Sequence, residues 1–375
     1  MTSRPDVIVI GGGAIGSACA RELARGGRAV LILEHGGRIG EAWRASAGML
    51  APQIEARQDS ATFEVGLAGR ERYAALAGPL REATGIDIGL WQEGIARLAT
   101  SEAEALEIRA MVAWQRQQGH LADWLDDDEV RARWPWLAPS FGALWAPREG
   151  AVDPERLVAA FLADAAAHGM RLVRDSVAGI ERRGDRVVEV VGQSGTRYEA
   201  DEVVVAAGAW SGRLEGLPRP LSVEPIRGQM AAMPWPADVP RTILYTRDCY
   251  LLPRGDEAWV GSTMEYAGFD VRVTEDGLDR IFRHVGRIAP AFRRDRVERT
   301  WAGLRPGTPD GLPIIGRAPA TQNLWYATGH GRNGILLAAL TGEVIRLLID
   351  GERVGGGEAG LDALSAVSPG RFWHW

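Results

Sequence analysis

The sequence predicts an α/β protein, α+β overall. One domain is Rossmann-like and assembled from separated segments, and the second is an antiparallel sheet with helical cover. Three observations lead there. Val7–Ile10 is a short, uniformly apolar run rich in β-branched residues, as suits a strand buried on both faces of a parallel sheet. Gly11, Gly13 and Gly16 follow at once, a helical pattern begins, and Ala29–Glu34 reads as a second strand ending in an acid. Far down the chain, Asp201–Trp210 repeats the buried-strand pattern, so the first domain draws on distant segments.

The glycine spacing lets the chain turn tightly, lets backbone approach a pyrophosphate, and packs the next helix closely on the sheet. That helix sets Ile15, Cys19 and Leu23 on one face and stops at Gly26-Gly27. Glu34, about 20 residues beyond the glycines, stands where an acid can hold ribose hydroxyls. A glycine triplet alone also describes an ordinary turn. Between two strands, opening a helix, it marks a dinucleotide site.

A loop, Gly36–Arg44, leads to Ala45–Pro52, where small residues permit close approach of backbone to a planar ligand. A helix is expected from about Ala61 to Ala77, ending near Gly78-Pro79. Between Trp91 and Trp145 the chain is rich in Trp and holds one helix, Ser101–Gln117, with Ala105, Ile108, Met111 and Val112 at helical spacing. Asp126–Glu129 reads as a helix cap rather than a metal site, since four adjacent acids cannot all face one ion. Asp153-Pro154-Glu155 opens a helix to about His168. Arg171–Val173, Val177–Glu181 and Arg186–Val191 read as strands. Residues 218–299 alternate strands, near Ile226–Met233, Tyr250–Leu252 and Trp259–Thr263, with one helix carrying Leu278, Ile281, Phe282, Val285 and Ile288 on one side. Trp301–Asp310 reads as a loop, Leu312–Gly316 and Leu324–Ala327 as strands, and Thr328–Gly334 as a glycine-rich turn opening a helix from Ile335 to about Asp350. The tail after Gly355 reads as loose. The expected division is residues 1–80, 146–215 and 300–375 in the nucleotide domain, and 81–145 with 216–299 in the substrate domain.

Bulk properties exclude several classes. A net charge of −6 over 375 residues argues against a nucleic-acid or anionic-membrane partner, which would favour a concentrated basic face. The 43 basic residues are all Arg, so no step can use a lysine amine. Two cysteines are too few for a disulfide framework and imply a reducing compartment. The chain enters its first strand without a signal peptide, and no apolar run reaches the length of about 20 residues that spans a bilayer. The six His residues show no metal-ligand spacing, and no Ser sits in a nucleophile elbow. A cytoplasmic protein without a metal is expected.

Asp6–Glu34, Ala47–Pro52, Trp301–Gly307, Asp310–Gly316 and Thr328–Leu337 together closely resemble the D-amino-acid oxidase superfamily of FAD enzymes. Within it they are most similar to the glycine oxidases of thiamine biosynthesis. The match covers nearly the whole chain in order. The resemblance implies FAD bound along the first domain, with Gly11, Gly13, Ala14, Ile15 and Gly16 at the pyrophosphate and Glu34 and His35 at the adenosine. Val177 would give adenine a backbone contact, and Ala47, Gly48 and Met49 would lie on the flavin side. The turn His330, Gly331, Arg332, Asn333, Gly334, Ile335 and Leu336 would lie beside the isoalloxazine. A helix starting at Gly334 would aim its positive end at the ring and favour the anionic reduced flavin. Ala42-Trp43 departs from the family, which usually carries Ser or Thr there, so backbone N–H groups must serve the pyrophosphate instead.

An amino-acid substrate needs a fixed cation for its carboxylate, and the planar fork of Arg binds both oxygens at once. By motif the resemblance assigns this to Arg305, helped by the Tyr250 hydroxyl, with Arg332 a second basic residue at the pocket. Read as residues alone, Arg305 is equally a loop arginine paired with Asp310, and Tyr250 a core tyrosine. Met264 matches a position over the flavin face, and Ala51 a pocket edge. Asp248 stands where relatives carry His. His330 reads as packing the flavin loop rather than as a base. The family's chemistry is hydride transfer from the substrate α-carbon to flavin N5, then reoxidation by molecular oxygen to hydrogen peroxide, with the imine hydrolysing to an α-keto acid and ammonia. No residue is expected to act as a catalytic acid or base. Relatives of the sarcosine-oxidase type use a lysine and attach FAD through a cysteine, so noncovalent FAD is expected here. The alternatives are a D-amino-acid dehydrogenase passing electrons to a quinone, and a flavin-bound scaffold without turnover. A homo-oligomer, such as a tetramer, is the expected assembly.

Overall fold

Val7–Ile10 occupies the middle of a six-stranded sheet whose order is Ile314–Arg317, Leu324–Thr328, Glu202–Val205, Val7–Ile10, Val30–Glu34, Arg171–Arg174. All neighbours run parallel except the Ile314–Arg317 edge strand. This computed structural model describes residues 4–37, 39–56, 58, 60–352 and 365–372; the stretch after Gly355 expected to be loose lies largely outside them.

The uniform apolarity of the central strands follows from cover on both faces. Val7, Val9, Val30 and Ile32 meet helices Ala14–Arg25, Pro154–Ala167 and Gly334–Ile349, while Ile8, Ile10, Leu31 and Leu33 meet Ile180, Val187 and Val190 of a small sheet. That sheet is Val177–Arg183, Arg186–Gly192 and Arg197–Tyr198. Side chains alternate along each strand, so a strand sandwiched this way has no polar side.

A second sheet of eight strands runs in the order Arg299–Gly307, Glu224–Pro234, Glu257–Gly261, Tyr250–Arg254, Ile243–Tyr245, Ile95–Leu98, Ala143–Ala146, Asp123–Leu125. It is antiparallel apart from the pairing of Ile243–Tyr245 with Ile95–Leu98. Helix Glu275–Ile288 covers one face through Leu278, Ile281, Phe282, Val285 and Ile288. Met230, Tyr250, Leu252 and Trp259 face the other way, in a cluster with Ile108 and Met111 of helix Glu102–Gln117.

Two elements differ from expectation. The helix Ala61–Thr84 runs through Pro79 and ends on Gly85 at φ +73. Proline removes a bond to the carbonyl four residues back, here Ala75; both residues are exposed, which makes the loss tolerable, while buried Leu80 anchors the last turn. The Trp301–Asp310 stretch is not a loop up to Gly307. It forms the edge strand Arg299–Gly307, where Pro306 opposes Pro225 and its missing N–H is tolerated. The acidic run behaves as a cap: Asp126 and Glu129 each accept from the other's backbone N–H at the start of Asp127–Arg133.

Candidate active site

A cavity of about 610 Å³ is lined by residues of both large sheets. At one end the first strand delivers Gly11, at φ +101, into a turn that only glycine enters without strain. Helix Ala14–Arg25 begins there with no side-chain cap on Gly13, so its first N–H groups lie free toward the cavity. Gly16 does not line it. A Cβ at Gly16 would sit 1.9 Å from the Gly11 carbonyl oxygen, so this glycine acts by packing helix against strand. Glu34 lines the wall, its carboxylate held by the N–H of Gly12 at 2.5 Å and of Gly36 at 3.1 Å. His35 and Val177 join it, with Ser176 and Gln193, which carry no local sequence signal. Ala42 and Trp43 line the wall as well. The Trp43 ring lies 3.0 Å from where a Gly13 Cβ would stand, with the Arg44 guanidinium stacked 4.0 Å over it.

Midway, Ala47, Gly48, Met49 and Ala51 form one side. Gly48 has φ +76, and a Cβ there would meet the Val152 carbonyl at 2.0 Å. The turn supplies His330, Gly331, Arg332, Asn333, Gly334 and Ile335. Helix Gly334–Ile349 starts on Asn333 without a side-chain cap, and Tyr73 donates to the Ile335 carbonyl from beneath. Leu336 does not reach the cavity: it packs on helix Ala61–Thr84, its carbonyl 2.6 Å from where a Gly69 Cβ would be. His330 is buried, bonded through Nε2 to Thr341 Oγ1 at 3.0 Å, and its Nδ1 has no partner. Burial holds its pKa down at about 3, so the ring is neutral.

Opposite stand Arg305 and Tyr250. Arg305 donates from Nη1 to the Thr263 carbonyl at 3.0 Å and from Nη2 to Ser262 Oγ at 2.6 Å. It is not paired with Asp310, which binds Arg371 instead. Burial lowers the Arg305 pKa. Tyr250 donates to Met230 Sδ at 3.3 Å, the Ser262 hydroxyl lies beside it, and burial raises its pKa, so the hydroxyl stays protonated. Arg332, the second basic residue at the pocket, already has its charge paired. Its Nη2 donates to Glu55 Oε1 at 2.6 Å and to the Tyr245 hydroxyl at 2.9 Å, and Glu55 raises its pKa. Thr263 turns its hydroxyl to the Gln229 N–H, and the next residue, Met264, is 51% exposed. It lines a second cavity of about 260 Å³ with Asp248 and His284; Tyr250, Ser262, Arg305 and Arg332 border both cavities.

Residues 6–347 match the family described as FAD dependent oxidoreductase (DAO). Glycine oxidase of Geobacillus kaustophilus is 36% identical over 93% of this chain and 94% of its own. Its namesake in Bacillus subtilis is 33% identical over 93% and 94%. The crystal structure of the Geobacillus glycine oxidase superposes with a TM-score of 0.90 at 34% identity, covering 98% of both chains. The chain belongs to the DAO family of FAD-dependent oxidoreductases.

The cofactor of the DAO family fits this cavity on the chain's own terms. The Gly11 turn, two uncapped helix starts, an acid fixed by two N–H groups and an unpartnered buried His330 Nδ1 together form an elongated polar and apolar cradle. Among the described residues no group of His, Cys, Asp and Glu could hold a metal, and no helix is long and apolar enough to cross a membrane.

Ser262, Glu55 and Gly228, beside Arg305 and Arg332, were also missed by the sequence reading. Only Gly228 left a signal, a glycine inside a strand, which marks close approach. A Cβ at Gly228 would stand 2.2 Å from Arg305 Nη1. Gly228→Ala is therefore expected to fold and keep FAD, because the guanidinium can swing aside, yet to raise the KM for an amino-acid substrate; an unchanged KM would contradict this placement.

Behind Met49–Ala51 lies a buried network. Glu149 accepts from the N–H of Gln53 and, at 3.3 Å, of Ile54, starting the helix Pro52–Glu55 that carries Glu55 to Arg332. Arg70 donates to Gln53 Oε1 at 2.5 Å. Burial pushes Glu149 up to about 8 despite Arg70 and these donors. The folded protein thus favours the protonated acid. That stabilisation is complete below about 4.5 and is lost as pH rises to about 8. Melting midpoints measured across this window should fall in the wild type and stay flatter in Glu149→Gln.

Proposed function

We propose that this protein is an FAD-dependent glycine oxidase, acting on glycine and small D-amino acids or amines with molecular oxygen as acceptor. The observation that carries the reading is the Arg305 guanidinium, desolvated at the cavity wall and held by a carbonyl and a hydroxyl rather than by an acid. A cation half-buried in a cavity wall without a carboxylate bonded to it is costly unless a ligand completes it. The 36% identity to a glycine oxidase supports glycine as that ligand. A place in thiamine thiazole synthesis is supported by the bifunctional ThiO/ThiG protein of Nostoc, 33% identical over 92% of this chain and 52% of its own. A cytoplasmic homo-oligomer completes the proposal.

Arg305 has five N–H donors and spends two on its supports, so the rest of the fork can take both oxygens of a substrate carboxylate. Tyr250 can exchange its weak thioether acceptor for one of those oxygens. Arg332, already neutralised by Glu55, acts as a wall that fixes where the substrate stops. His330, held neutral with a pKa of about 3, is too weak to take a proton from an ammonium, so the substrate reacts as its neutral amine. When bound, FAD supplies the hydride acceptor for oxidation of the substrate α-carbon and is regenerated by oxygen. Orientation carries the rest of the rate.

Incubation of the FAD-loaded protein with glycine in air is expected to yield glyoxylate, ammonia and hydrogen peroxide in equal amounts. Glyoxylate formed only when a quinone is added, without peroxide, would replace the oxidase by a dehydrogenase.

A further inference from the structure

The strand Tyr250–Arg254 carries polar side chains at both ends of one face. Residues four apart on a strand point the same way, roughly 13 Å apart. Tyr250 borders the cavity, and Arg254 reaches across to the segment that forms its far wall. Arg254 Nη2 donates to the carbonyls of Ala47, at 2.7 Å, and Val152, at 2.8 Å. Its Nε is buried without a partner, and its guanidinium lies 5.3 Å from the Trp259 ring centre. Among the described residues its hydrogen bonds run to these carbonyls and not to an acid.

The two carbonyls belong to adjoining pieces of backbone. Val152 N–H donates to the Gly48 carbonyl at 2.9 Å, and Met49 and Leu50 pair with Ala151 and Gly150. Arg254 therefore ties this small ladder to the strand that bears Tyr250. Charge-assisted bonds from one rigid fork to two carbonyls define position more sharply than apolar packing does.

We propose that Arg254 is a positioning residue for the reaction: through Ala47 it fixes the Ala47–Met49 wall at a set distance from Tyr250. The proposal rests on the reading above, in which that wall flanks the flavin and Tyr250 helps hold the substrate. The spacing between donor carbon and acceptor is then set by one strand and one guanidinium, and misplacement by about 1 Å costs on the order of 100-fold in rate.

The test uses FAD-loaded R254M and R254K with two readouts. Visible circular dichroism of the bound flavin, without substrate, is expected to change in R254M and to return toward wild type in R254K, whose ammonium can still donate to both carbonyls. Anaerobic flavin reduction by glycine is expected to slow about 100-fold at saturation in R254M with little change in the half-saturating concentration, and to recover largely in R254K. If R254M takes up no FAD, R254Q, which keeps one donor pair, is carried through both arms with an intermediate loss expected. An unchanged dichroism and rate in R254M overturns the proposal. So does a loss that lysine fails to rescue, or one that appears as weaker glycine binding. A wild type that binds FAD but is not reduced by glycine overturns the glycine-oxidase reading instead, and the dichroism alone then decides the role of Arg254.

Discussion

Arg305→Ala is expected to raise the KM for glycine about 10- to 150-fold while leaving FAD bound. The lost interaction is a charge-assisted pair, worth about 1.5–3 kcal/mol when one partner is removed, and each 1.36 kcal/mol is about tenfold. Flavin retention follows from where the side chain is anchored. Its supports are the Thr263 carbonyl and Ser262 Oγ, not the glycine turn or the Ala47–Met49 segment. Arg305→Lys should recover only part of the affinity, because an ammonium is a point charge and cannot present a bidentate fork. Steady-state kinetics with glycine varied at fixed oxygen provides the check. An unchanged KM would remove Arg305 from the substrate site, and with it the account of why this cation goes without an acid.

The second large effect falls at the opposite end of the cavity. Gly16→Ala is expected to give a protein that does not retain FAD, since the new Cβ would lie 1.9 Å from the Gly11 carbonyl oxygen. Backbone cannot move aside as a flexible side chain can. The helix must lift from the strand, taking its free N–H groups out of line with a pyrophosphate. Overpacking of this kind costs about 1–3 kcal/mol in ordinary cores and more where backbone is the obstacle. Gly78→Ala is the matched control: a Cβ there meets nothing within 4 Å, in the helix Ala61–Thr84. It should be neutral or stabilising by roughly 0.5–1 kcal/mol. Flavin absorbance after gel filtration and a thermal melt compare the two. A yellow, normally stable Gly16→Ala protein would contradict the packing role.

What could be read from the sequence divides along a physical line. The Gly11–Gly16 turn, the Glu34 position and the caps at Asp126 and Asp153 were legible because each is a local agreement between neighbours a few residues apart. Arg305 and Tyr250 were reached through the family resemblance rather than through local signal. Glu55 and Ser262 were not reached, because nothing near them in sequence says that a short helix started on Glu149 or a turn after Gly261 will bring them to an arginine. Leu336 was misplaced because a motif gives proximity along the chain, and the direction of a side chain depends on what the next element offers it. Leu336 is taken up by Gly66 and Gly69. The edge strand Arg299–Gly307 was hidden by its two glycines and its proline, which signal a loop unless a partner strand supplies the pairing.

In the proposed function one cavity brings a flavin and a guanidinium-held small zwitterion together. Anaerobic mixing of the FAD-loaded protein with glycine, followed through the visible flavin band, is the decisive measurement. Glycine is expected to bleach the band in the wild type, and Arg305→Ala to need far higher glycine to reach the same bleached state. A band untouched by glycine and by small D-amino acids, in protein that holds its FAD, would contradict it.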